Sequence, residues 1–115
     1  MPLVHDFGII NDINDKNSYS SYSPELNNCI QVQDEVVQEL VEGLKIIKTY
    51  FHSLERPNVG LAYHGITLIP PESLSQFLDT ILTNKVIKNF EETSLLCEKI
   101  QQAIEQNKYM IHYGI

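Results

Sequence analysis

Apolar side chains recur along this chain with two different periods. Val37, Leu40, Val41, Leu44, Ile47, Phe51 and Leu54 keep a helical spacing until Arg56-Pro57 interrupts it. That spacing predicts a long helix over about residues 35–55, with Asp34 as its cap and Glu35 at the positive end of the helix dipole. Gly43 inside it costs roughly 1 kcal/mol relative to alanine, which points to a close approach there. Leu74, Phe77, Leu78, Ile81 and Leu82 give the cleanest amphipathic pattern, a helix over about 71–83 entered through Pro70-Pro71, with Asn84 suited to a left-handed cap. Phe90, Leu96, Cys97, Ile100, Ala103 and Ile104 predict a third helix over about 88–107, and Asn89 with Glu92 resembles a capping box.

The other period is two. Cys29-Ile-Gln-Val-Gln33 alternates, and Tyr109-Met-Ile-His-Tyr113 is aromatic and branched. Both read as strands, about 29–33 and 109–113. Between them, residues 61–69 put Leu61, Tyr63, Gly65, Thr67 and Ile69 on one face and Ala62, His64, Ile66 and Leu68 on the other. Neither face is plainly polar, so this strand is placed at the centre of the sheet. The expected fold is α+β, or a small mixed α/β domain: a three-stranded sheet with three helices in a single domain, residues 1–115. A right-handed crossover through the first helix follows if the first two strands are parallel. Residues 1–28 form a loop-rich N-terminal segment in which Leu3, Val4, Phe7, Ile9 and Ile10 are apolar enough to dock.

Charge changes the picture. The chain of 115 residues has a net charge of −7. Residues 1–44 hold eight acids against Lys16 alone, while residues 45–115 hold equal numbers of each sign. This layout argues against nucleic acid or an anionic membrane as a partner, because phosphate binding needs a basic face. No apolar run approaches the roughly 18 residues of a membrane span. The N-terminal residues lack a basic region followed by an apolar core, so no secretory signal is read there. Cys29 and Cys97 stand apart and read as free thiols in a cytoplasmic protein.

Candidate chemistry is sparse. Asp6-Phe7-Gly8 spells a kinase tripeptide with no companion motif. Residues 12–23 begin like a calcium loop but lack its glycine and its final glutamate, so Asx turns are the better reading. The four histidines show no metal-ligand spacing, and no cofactor or metal is expected. Glu35, Glu39 and Glu42 form an acidic stripe on the first helix, and Asp12, Asp15, Tyr19 and Tyr22 offer contact residues on the N-terminal loop. These residues make up the expected surface for a basic protein partner. In size, acidity and lack of catalytic motifs the chain resembles bacterial immunity proteins. That resemblance implies a basic toxin domain as partner; it carries no motif, so no residue role comes with it.

Two further readings stand beside the non-enzymatic binder. A small enzyme or ligand site would use Tyr63, His64, His112 and Tyr113 around the sheet. A structural subunit would self-associate as a homo-oligomer through its amphipathic helices.

Overall fold

A computed structural model describes residues 3–16, 19 and 27–115. Its sheet has six strands rather than three. In chain order they are β1 (Val4–Ile9), β2 (Ile30–Gln33), β3 (Lys48–Phe51), β4 (Pro57–Val59), β5 (Ile66–Ile69) and β6 (Met110–Tyr113). The helices are α1 (Asp34–Leu44), α2 (Leu74–Leu82, entered through a 3-10 turn at Pro71–Ser73) and α3 (Glu91–Gln106). The sheet order is β2-β1-β6-β5-β3-β4, and every neighbouring pair is antiparallel. The class α+β holds. The three-stranded sheet does not, and among the described residues no parallel pair exists to need a crossover.

Three strands went unseen for one physical reason: short strands can hide inside other patterns. Beyond Leu44 the helical spacing fails. Ile47 and Thr49 are buried while Ile46 and Lys48 are exposed, which is a period of two. A spacing of four residues, as from Ile47 to Phe51, fits either period, so the expected 35–55 helix absorbed β3. Pro57, read as a stop, opens edge strand β4, where a residue with no N–H to donate is tolerated. β1 lies in the segment expected to dock as a loop. It pairs with β2 and β6 and supplies buried Phe7 and Ile9 to the core.

The expected 61–69 strand is shortened to Ile66–Ile69. Residues 60–65 turn instead, with Gly60 at a positive φ of 71° and the Gly65 amide donating to the Ala62 carbonyl at 3.1 Å. The Gly114 amide then donates to the Gly65 carbonyl, and Ile115 donates to the Tyr63 carbonyl. This fastens the turn, and with it Tyr63, beside the end of β6. Any Cβ on Gly114 would strike the Tyr63 backbone.

The two sheet faces bury different things. Phe7, Val32, Ile69 and Met110 meet α1, α2 and α3 through residues such as Leu40, Phe77 and Ile100. Leu68, Ile111 and Tyr113 point the other way, against Ile10, Tyr19 and the half-buried Ile13 and Leu54. Tyr19 thus pins the N-terminal loop to the sheet rather than lying open for contact.

Helix ends also differ in detail from the expectation. Asp34 makes no cap bond; the cap position falls on Gln33. Asn84 does not adopt the left-handed conformation, which falls instead on Asn107 (φ 54°) at the end of α3. The capping box at Asn89 does not form, since α3 starts from Phe90 with no side-chain cap. At Gly43 the close approach is present: a Cβ there would lie 2.7 Å from Thr80 Cγ2 on α2.

Candidate functional site: a buried carboxylate–histidine–histidine chain

Strand alternation places His5, Phe7 and Ile9 on the helix-facing side of β1, and the antiparallel register sets Phe7 and Thr67 opposite His112. The start of α1 brings Asp34 over the same patch. The result is a polar chain inside an apolar layer. Thr67 Oγ1 lies 3.2 Å from His112 Nδ1, and His112 Nε2 lies 2.8 Å from His5 Nδ1. His5 Nε2 lies 2.8 Å from Asp34 Oδ1. The Tyr63 hydroxyl donates to the same Asp34 oxygen, and the Gln38 amide donates to the other at 2.6 Å.

His5, His112 and Thr67 are fully buried, while the Asp34 side chain keeps 12% exposure. Among the described residues the chain therefore reaches solvent through Asp34, half-buried Tyr63 and exposed Gln38. The rings of His5 and His112 stack at 5.0 Å between centroids, Phe7 lies 4.8 Å from His112, and Tyr63 meets His5 edge-on at 5.1 Å.

The proton positions follow from the partners. Burial pushes the Asp34 carboxyl upward, but hydrogen bonds from Tyr63, His5 and Gln38 together outweigh it and hold the group below its ordinary value. Asp34 is then ionised at neutral pH and can only accept, so His5 Nε2 carries a proton. His112 is kept neutral: burial, then the neighbouring His5, lowers it to about 3. In the state where His5 is neutral as well, its bare Nδ1 accepts from His112 Nε2–H, and His112 Nδ1 accepts from the Thr67 hydroxyl. Thr67 Oγ1 in turn accepts from the Ala62 amide at 2.8 Å. In that state all hydrogen bonds along the chain point one way, towards the carboxylate. No buried side-chain nitrogen or oxygen among the described residues lacks a partner, so this polar insertion is fully compensated. The same bond to Asp34, then burial, raises the Tyr63 phenol.

Of the residues expected to form a pocket, the structure joins Tyr63 and His112 through His5 and Asp34. It does not join His64 or Tyr113 to them. His64 is exposed, its ring edge-on to Tyr63 and its Nδ1 3.4 Å from the Ile115 carbonyl. Tyr113 lies on the opposite sheet face, where its hydroxyl accepts from Asn27 at 3.0 Å. A shallow cavity of about 200 Å³ is lined by His52, His64, Gly65, Ile66, Tyr113 and Gly114, so it brings His64 and Tyr113 together, and His112 takes no part in it.

Sequence reasoning missed His5, Gln38 and Thr67, and took Asp34 for a cap. One signal was available: His5 shares an alternating face with Phe7 and Ile9, so its ring belongs inside if residues 4–9 are a strand.

The acidic residues divide between two surfaces. Glu35, Glu39 and Glu42 are all exposed on α1, and Glu42 pairs with Lys45 at 3.0 Å. Asp12 and Asp15 are exposed on the loop that covers the other sheet face. There the Asp12 carboxylate accepts from the Asn14 amide at 3.0 Å, an Asx turn. Asp6 and Asp34 are buried. Tyr22 lies outside the described residues. Among the described residues no group of three or more ligands is placed to hold a metal, and no helix is long and apolar enough to cross a membrane.

No known protein family matches this chain, and no curated protein or solved structure matches it either.

Proposed function

We propose that this protein is a non-enzymatic, cytosolic protein-binding module that presents the outer face of α1 to a basic partner, in the manner of an immunity protein masking a toxin domain. One observation supports this reading above the others. Glu35, Glu39 and Glu42 all stand exposed on one rigid helix, and a single base, Lys45, pairs among them. Three carboxylates held on a packed element form a fixed negative field that steers and orients a cationic surface. The helix is rigid because its inner face, Val36, Val37, Leu40 and Leu44, is fully buried. Exposed Leu82 and Val86 flank Asn84, whose side-chain amide donates to the Glu39 carbonyl at 3.3 Å. They add apolar area beside the charges, the usual composition of a contact surface.

The test starts with immobilised protein and elution of bound proteins by rising salt. The affinity of a purified basic partner is then measured between low and physiological ionic strength. The combined change Glu35→Gln, Glu39→Gln, Glu42→Gln is expected to weaken binding roughly tenfold at low salt and to flatten the salt dependence. A partner whose affinity and salt slope ignore the triple change removes the α1 face from the reading.

A further inference from the structure

The geometry points to a one-proton latch: the facing nitrogens of His5 and His112 hold β1, β6 and the start of α1 together while they share a single proton, and release them when both rings become charged. This inference does not depend on the proposed partner.

The cluster has two states in which all four ring nitrogens of His5 and His112 are bonded. In the first, both rings are neutral and every donor points towards Asp34. Adding one proton to His5 makes both of its nitrogens donors. Nδ1–H then donates to His112 Nε2, so the His112 proton must sit on Nδ1 and donate to Thr67 Oγ1. A hydroxyl oxygen has room for both that bond and the one from the Ala62 amide. His112 changes tautomer and His5 gains an ionic partner in Asp34, while the Thr67–His112 bond reverses and the Thr67 hydroxyl hydrogen gives up its acceptor on His112. A second added proton has no such solution. Two N–H groups would face each other across 2.8 Å, with two cations stacked 5.0 Å apart and out of reach of water.

The surroundings give that second charge nothing to pair with. β2 sets Val32 opposite His5, β5 brings Thr67 to His112, and Phe7 on β1 packs on the His112 ring. The turn brings the Tyr63 hydroxyl, while α1 brings Asp34 and neutral Gln38. Asp6, next to His5 on β1, points to the other side of the pleat. Among the described residues Asp34 is thus the single carboxylate bonded to the pair, through His5. The low value of His112, about 3, agrees with this refusal of a second proton.

The test is an acid titration of the intact protein with 15N-labelled imidazoles, followed together with far-UV circular dichroism. As His5 charges, the protonated nitrogen of His112 is expected to switch from Nε2 to Nδ1. His112 should become charged only together with loss of structure. The variant His112→Phe, which keeps a ring in the space, should unfold in acid with about one proton fewer in its pH slope. The latch is overturned if the two rings titrate independently in the folded protein. It is also overturned if His112 keeps one tautomer until the protein unfolds. If His112→Phe does not fold at neutral pH, the wild-type spectra decide between these outcomes alone.

Discussion

Asp34 and Glu35 are adjacent carboxylates on the first turn of α1, and they live in different worlds. Asp34 points inward and accepts hydrogen bonds from His5, Tyr63 and Gln38. Glu35 points outward with Glu39 and Glu42 into water. On the inner face a charge is held by direction: each donor must be in place, or a buried carboxylate is left without compensation. On the outer face a charge is held by nothing in particular and contributes a field instead. The same residue type therefore serves architecture on one side of the helix and encounter on the other. The difference is solvent access, since the dielectric sets how much each partner matters.

The sharpest way to break this comparison is Asp34→Ala. It leaves His5 Nε2–H and the Tyr63 hydroxyl without their acceptor, and should cost about 3 kcal/mol by urea denaturation. A cost under about 1 kcal/mol would place Asp34 with the surface carboxylates. Next comes Thr67→Val, which keeps the shape but removes the partner of both the Ala62 amide and His112 Nδ1. About 2 kcal/mol is expected, with normal sheet content by circular dichroism.

Acid should act on the inner face first. His112 is held near 3 when folded and sits near 6.5 when unfolded. The unfolded chain then binds the extra proton, so the stability His112 contributes is present above pH 6.5 and is lost as pH falls from there towards 3. The expected slope is up to ~1.4 kcal/mol per pH unit. Asp34, also depressed, adds its own loss only below its ordinary value of 3.8. Stability curves measured at pH 7 and pH 5 check this; a flat response would mean that His112 is not kept neutral.

Packing between α1 and α2 gives a smaller effect. Gly43→Ala adds a methyl 2.7 Å from Thr80 Cγ2 and should destabilise by about 1 kcal/mol despite alanine's better helix propensity. In a Thr80→Ser background the methyl has room, so the same change should stabilise, a sign reversal visible in a double-mutant cycle. The smallest effect belongs to the outer face. Glu35→Gln, Glu39→Gln and Glu42→Gln together should leave stability within about 0.5 kcal/mol of the parent, because like-charge relief at this spacing is small and the Glu42–Lys45 pair is exposed. A large loss would mean these carboxylates are structural after all.

Much of the helical architecture was legible in the sequence. The apolar spacing of Leu74 to Leu82 and of Leu96 to Ile104 marks α2 and α3, because a face that must be buried has to recur every three to four residues. The start of α1, strands β2 and β6, and the surface position of the acidic stripe are written in the same way. Strands β1, β3 and β4 were not legible. A strand of three to six residues offers too few alternations to stand out from a neighbouring helix or an apolar run, and its identity comes from the partner it pairs with.

The cluster was the least legible part. His5, Asp34, Thr67 and His112 are separated by up to 107 positions, and nothing local marks them as neighbours. The sequence alone determined which residues carry charge and which helices have an inner face, and it narrowed the class to α+β or mixed α/β; the antiparallel pairing of the sheet decided for α+β. Only the tertiary structure decided which carboxylate turns inward and which histidines meet, because antiparallel register and the packing of α1 over the sheet set both.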